Sequence, residues 1–239
     1  MNKTFEVIAQ VQDEPALGDT IQYPEPDTAH AFRSFRTAFA NQQLTNLAQA
    51  VYLSQDVGGL HQVVLCGVDE ENASSQICLA LGRILAQCSG KPICLVDANK
   101  RTSRLSQLLN KDRLAAVPAS SREQVAKVEK GLWFTSMAGH DFSPADSAAT
   151  PDQIKKCLDH LRDSFAFVLI DAPGVNTRGD AAILGQLSNG VILVIEANST
   201  RKASALRAKK TLLDMNIRLL GCVLNNRTFP IPERLYRRL

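Results

Sequence analysis

Two aspartates, two serines and an asparagine stand at strand ends and a helix start, where ligands of an α/β sheet would lie. Asp97 and Asp171 each directly follow an apolar run, Ile93-Cys94-Leu95-Val96 and Phe167-Val168-Leu169-Ile170. Ser74 and Ser75 open a helical pattern just after the run Val63-Val64-Leu65-Cys66 and Gly67. Asn225 closes the run that begins at Leu219. Carboxylates at such strand ends hold magnesium or its waters and orient an attacking group. A strand, a loop and a helix in this order form the frame of a phosphate-binding loop, usually G-x-x-x-x-G-K-[ST].

This loop keeps the frame and lacks the chemistry. With Ser75 in the place of the motif's hydroxyl residue, Ser74 stands where the lysine belongs. Glu71 and Ala73 stand where glycines belong. Asp69, Glu70 and Glu71 add three carboxylates where a phosphate tail would lie, and like charges so close repel it strongly in a dry site. A helix N-terminus attracts anions. The loop acids are expected to meet that attraction themselves, by capping the helix or by folding into the phosphate place and filling it. A lone strand-end aspartate usually caps the next loop. Two of them beside a strand, loop and helix of this shape point to shared ancestry with phosphate-binding-loop proteins, which is not activity.

The elements that must position these residues alternate. Helix is expected over about 74–88, from Ile77, Ala80, Leu81, Ile84 and Leu85. A short helix holds Leu105, Leu108 and Leu109, and a polar helical segment is expected around 121–130. Leu132-Trp133-Phe134-Thr135 reads as a strand, and His140 to Thr150 as a loop. Thr150-Pro151 starts a helix. Further helices are expected near 179–187 and 200–214, with a strand at Val191-Ile192-Leu193-Val194-Ile195 between them. Continuous apolar strands separated by helices imply an α/β fold, a doubly wound, mainly parallel sheet with helices on both faces. Ligands on such sheets lie beyond the carboxyl ends of the strands.

The division expected is an extended N-terminal arm at 1–28 (with a short strand from Thr4 to Val11), a helical segment at 29–57, an α/β core at 58–226 and a basic tail at 227–239. The helical segment carries Phe32 and Phe35 at helical spacing, with Arg33 and Arg36 on a neighbouring stripe. The 239 residues suit one such domain with a terminal extension. A net charge of +3 gives no argument for nucleic acid. No apolar run approaches the ~20 residues of a membrane span, and no signal peptide is expected. Six cysteines without a C-x-x-C pair read as reduced thiols of a cytoplasmic protein. The histidines lack metal-ligand spacing, so no metal site is expected.

The chain resembles the bacterial tyrosine kinases of capsule and exopolysaccharide synthesis, within the deviant-Walker P-loop ATPases. ICLVDANKR (93–101) is similar to their Walker A′ segment, FVLIDAPG (167–174) to their Walker B strand, HAFRSFRT (30–37) to their arginine helix and GCVLNN (221–226) to their last strand. The likeness runs over about 28–226. Departures accompany it. Besides the lost lysine, Asn99 replaces a carboxylate, His30 replaces the arginine helix's glutamate and Gly174 replaces a Walker B proline. The family's terminal tyrosine cluster is reduced to Tyr236.

The resemblance implies a degenerate member, a pseudokinase that serves as a protein-binding scaffold or regulator. No catalytic residue, nucleotide or magnesium is expected. Ser74, Ser75, Asp97, Asp171 and Asn225 remain as a residual nucleotide site. The alternative is an atypical ATPase or kinase that still holds Mg-nucleotide there, helped by a lysine such as Lys100. In the family the arginine helix assembles subunits, so Phe32, Arg33, Phe35 and Arg36 are the assembly candidates, for a homo- or hetero-oligomer. A solvated helix face is the competing reading of the two arginines. Expected partners are a membrane polysaccharide co-polymerase or a related kinase, and the expected place is the cytoplasm or the inner face of the membrane. The basic stretch Arg201, Lys202, Arg207, Lys209 and Lys210 and the tail Arg234, Arg237 and Arg238 read as solvated cations, or as a face for an anionic membrane or an acidic partner.

Overall fold

The computed structural model describes residues 5–7, 41–51, 59–70, 73–99, 103–109, 125–137, 150–177 and 179–226. Eight strands form one sheet: β1 Phe5–Val7, β2 Gln62–Gly67, β3 Ile93–Asp97, β4 Ala126–Glu129, β5 Leu132–Ser136, β6 Phe167–Ala172, β7 Val191–Glu196 and β8 Leu219–Asn225. Among the described residues six helices cover it: α1 through 41–51, α2 Ser74–Ser89, α3 Arg104–Leu108, α4 Pro151–Ser164, α5 Asp180–Leu187 and α6 Lys202–Asp214. The strand order is β1-β8-β7-β2-β6-β3-β5-β4. Every pairing is parallel except β4 with β5.

The interior strands are short and mostly apolar, so successive side chains enter cores on opposite faces. Val63, Leu65, Ile93, Leu95, Phe167, Leu169, Ile192 and Val194 pack on one face with Leu44 and Leu47 of α1, Ile77, Leu81 and Leu85 of α2, and Leu105 of α3. Val64, Cys66, Cys94, Val96, Val168, Ile170 and Leu193 pack on the other face. Their partners there are Leu158 and Leu161 of α4, Ala181 and Leu184 of α5, and Ala208 and Leu212 of α6. This is the doubly wound parallel sheet that the alternation implies.

The chain winds from β2 outward to β3, returns with β6 between them, then crosses to β7 and β8 on the far side of β2. The crevice at such a reversal is where ligands of open α/β sheets sit. Thr150 starts α4 with a capping box: its side chain accepts from the Gln153 N–H, and the Gln153 side chain accepts from the Thr150 N–H.

Residues 126–129 correct the helix expected around 121–130. Ala126 and Val128 are buried while Lys127 and Glu129 point outward, a period of two that suits a half-buried strand. Gly131, at φ +77°, turns that strand back into β5. The two strands form the antiparallel edge of the sheet.

Candidate functional site

Strand parity builds the site. Leu95, Leu169, Val194 and Val223 all face the core under α2. Two residues on along each strand come Asp97, Asp171, Glu196 and Asn225, which must share that face. All four are buried, at 1%, 1%, 8% and 0% exposure. Asp97 is the register partner of Asp171, and Glu196 that of Asn225. The first turn of α2 ends against this row.

Ser74 Oγ donates to Asp171 Oδ1 at 2.8 Å, and Ser75 Oγ donates to Asp171 Oδ2. Both serines that open α2 thus turn inward onto one carboxylate. Burial pushes Asp171 from 3.8 up to about 7. The two hydroxyl donors pull it down, the Asp97 charge pushes it up, and the Arg104 guanidinium pulls it down. Asp97 accepts the Asn99 N–H on Oδ1, and the Ser106 N–H and hydroxyl on Oδ2, the last at 2.7 Å. Among the described residues no group of three or more His, Cys, Asp or Glu is placed to hold a metal ion.

Glu196 supplies the feature that the sequence reading did not single out. Its Oε1 accepts the Ala73 backbone N–H at 2.9 Å, at the N-cap of α2. Its other donors are Asn225 Nδ2, at 3.2 and 3.1 Å to the two oxygens, and Asn226 Nδ2, at 2.9 Å. Asn226 reaches in from a left-handed backbone, φ 54°, which asparagine tolerates better than most residues. The Glu196 backbone N–H donates to Thr200 Oγ1, which fixes the turn after β7. A phosphate at the Ala73 N–H would have to displace this carboxylate. Asn225, expected as part of a residual nucleotide site, donates its side-chain amide to Glu196.

Two of the three loop acids are described. Asp69 and Glu70 are exposed, and Asp69 Oδ1 accepts from Asn176 Nδ2 at 3.2 Å. The N-cap residue of α2, Ala73, offers no side-chain cap of its own, and the first turn carries no acid. The loop after β2 is strapped to the loop after β6: the Val175 and Asn176 N–H groups donate to the Gly67 and Val68 carbonyls, each at 3.0 Å. Gly174 sits at this crossing, where a Cβ would lie 2.4 Å from the Asp69 carbonyl carbon and oxygen. Glu71, Lys100, Tyr236 and the assembly candidates Phe32, Arg33, Phe35 and Arg36 lie outside the described residues.

A cleft of about 720 Å³ opens beside the α2 N-terminus, with Ser75, Gln76, Arg104, Gln107, Glu196 and Asn226 among its lining. Its position is that of a ligand crevice, and its chemistry is mixed, with one guanidinium and one carboxylate.

EpsB of Ralstonia solanacearum, which carries a tyrosine-protein kinase assignment, is 29% identical over 209 residues, 84% of this chain and 26% of EpsB. The tyrosine-protein kinase YwqD of Bacillus subtilis is 29% identical over 154 residues, 62% of this chain and 64% of YwqD. The chain is a relative of the bacterial tyrosine kinases. It spans about a quarter of the EpsB length. The kinase domain of the Escherichia coli tyrosine kinase ETK superposes with a TM-score of 0.67 at 16% identity, covering 81% of this chain and 79% of that domain. The fold is therefore that of the tyrosine-kinase domains, P-loop NTPase-like in architecture. No family model matches the chain. Among the described residues no helix is long and apolar enough to cross a membrane.

Proposed function

We propose that this relative of the tyrosine kinases is non-catalytic and acts by binding other proteins in bacterial exopolysaccharide or capsule synthesis. The observation that carries the reading is the Glu196 carboxylate on the Ala73 N–H, where a nucleotide phosphate would need that donor. Ser74 reinforces it. It stands in the lysine's place and spends its hydroxyl on Asp171. Phosphoryl transfer depends on positive groups around the transferred phosphate, and losing one such donor costs on the order of 3 kcal/mol in the transition state. Here a donor is lost and a negative charge is gained. Neither nucleotide nor magnesium is part of this reading.

The scaffold then serves contacts. A membrane polysaccharide co-polymerase or an active kinase of the same fold is the partner class, met at the cytoplasmic face, with Phe32, Arg33, Phe35 and Arg36 as the contact residues. The purified chain should neither hydrolyse ATP nor phosphorylate its own tyrosines, and it should co-purify from its host with one of those partners. ATP turnover that Asp171→Asn abolishes would overturn the reading.

The cleft favours one other reading, an atypical nucleotide-binding ATPase or kinase. Its volume suits a mononucleotide, and Arg104 offers a cation in place of the missing lysine. Arg104→Ala would then weaken nucleotide binding.

A further inference from the structure

Helix α6 faces the sheet through Ala208 and Leu212, both fully buried. Its other side carries Lys202, Leu206, Arg207, Lys209, Lys210 and Leu213, all exposed. Leu206 is 55% exposed, Leu213 53%, and Met215, at the helix end, 36%. Of four large exposed hydrophobics among the described residues, two lie on this helix and a third, Met215, directly follows it. Such side chains scattered singly need no explanation, but their concentration on one helix does.

The spacing places them together. Lys202, Leu206, Lys209, Lys210 and Leu213 follow the i, i+3, i+4 and i+7 pattern of one helical stripe. The two leucines are seven residues apart, about 10.5 Å along the axis. Among the described residues no carboxylate forms an ion pair with Lys202, Arg207, Lys209 or Lys210. The face therefore combines protruding apolar groups with cations that no described carboxylate pairs.

We propose that the outer face of α6 binds an anionic lipid surface. The leucines enter the boundary between headgroups and acyl chains, and the lysines and arginine meet the lipid phosphates. Single leucines projecting from a helix offer a protein partner little unless it has matching pockets. A fluid apolar layer takes them without shape matching. Lysine stems lie along that layer while their ammonium groups reach the headgroups. This surface owes nothing to the nucleotide crevice, so it stands or falls separately from the proposed function.

The test is co-sedimentation of the full chain with vesicles of phosphatidylcholine alone, or of phosphatidylcholine mixed with phosphatidylglycerol. Binding is expected only with the anionic lipid, and it should fall as salt rises. Lys209→Glu with Lys210→Glu, and separately Leu206→Ser with Leu213→Ser, should each lower the partition coefficient by about tenfold or more without lowering the melting temperature. The pair Lys155→Glu and Lys156→Glu, on α4, should bind like the unaltered chain. Absence of binding to the anionic vesicles would overturn the proposal and turn the face toward an acidic protein. Equal loss in the α4 pair would overturn it too, since net charge alone would then explain binding.

Discussion

Glu196 Oε1 accepts the backbone N–H of Ala73, 123 residues earlier in the chain, at 2.9 Å. One carboxylate thereby joins the start of α2, the end of β7 and the two asparagines that close β8. The positive end of a helix is satisfied from within the protein.

Removing that carboxylate should cost stability. In Glu196→Ala the fully buried Asn225 amide loses its two bonds to the carboxylate, and Ala73 and Asn226 lose one each. An unsatisfied buried donor costs about 1–3 kcal/mol, so urea unfolding should report a loss in that range or somewhat above it. A stability equal to that of the unaltered chain would mean that Glu196 is no latch.

Asp171 gives a pH signature. Its carboxyl titrates at about 7 in the folded chain against 3.8 for an ordinary aspartate, chiefly through burial. The folded state therefore keeps a proton that the unfolded chain gives up, and Asp171 lowers stability as pH rises from 3.8 through about 7. Below that window the penalty is absent, and above it complete. Asp171→Asn should flatten the fall in melting temperature between acid and neutral pH, and should stabilise the chain most on the alkaline side. Ser75→Ala removes a hydrogen bond that favours the charged form, so the fall should extend to higher pH. An unchanged pH slope in Asp171→Asn would contradict this assignment.

Gly174 should tolerate no side chain. A methyl group there meets the Asp69 carbonyl at 2.4 Å, and that backbone is held by the Val175 and Asn176 bonds to Gly67 and Val68. Gly174→Ala should destabilise the chain by about 1–3 kcal/mol, as overpacking does. Gly179→Ala, where no atom lies within 4 Å of the added group, serves as the control and should change little.

Most of the fold was legible because the strands are unbroken apolar runs and the helices carry a clear apolar stripe. Even β1 fell within the short strand expected at Thr4–Val11. The 126–129 strand was misread because four residues of alternating polarity resemble a polar helix until Gly131 is recognised as a hairpin turn. Glu196 was legible and overlooked. It directly follows Val191–Ile195, the same signal that marked Asp97 and Asp171, and parity with Ile192 and Val194 places it under α2. Its bond to Ala73 was not legible, since it depends on how closely the turn after β7 approaches α2. Attention went instead to Asp69 and Glu70, whose nearness in sequence to the helix says nothing of their direction. Gly174 stood out only as a missing proline. Its reason, the Asp69 backbone crossing beside it, needs three dimensions.

The measurement that bears most directly on the central claim is thermal unfolding of the full chain with and without millimolar Mg-ATP and Mg-ADP. A ligand at 100 times its dissociation constant adds about 2.7 kcal/mol to stability, so true binding raises the melting temperature visibly. With Glu196 holding the α2 N-terminus, the predicted result is identical curves. A clear rise with either nucleotide, lost in Asp171→Asn, would contradict the account and return the chain to the nucleotide-binding kinases.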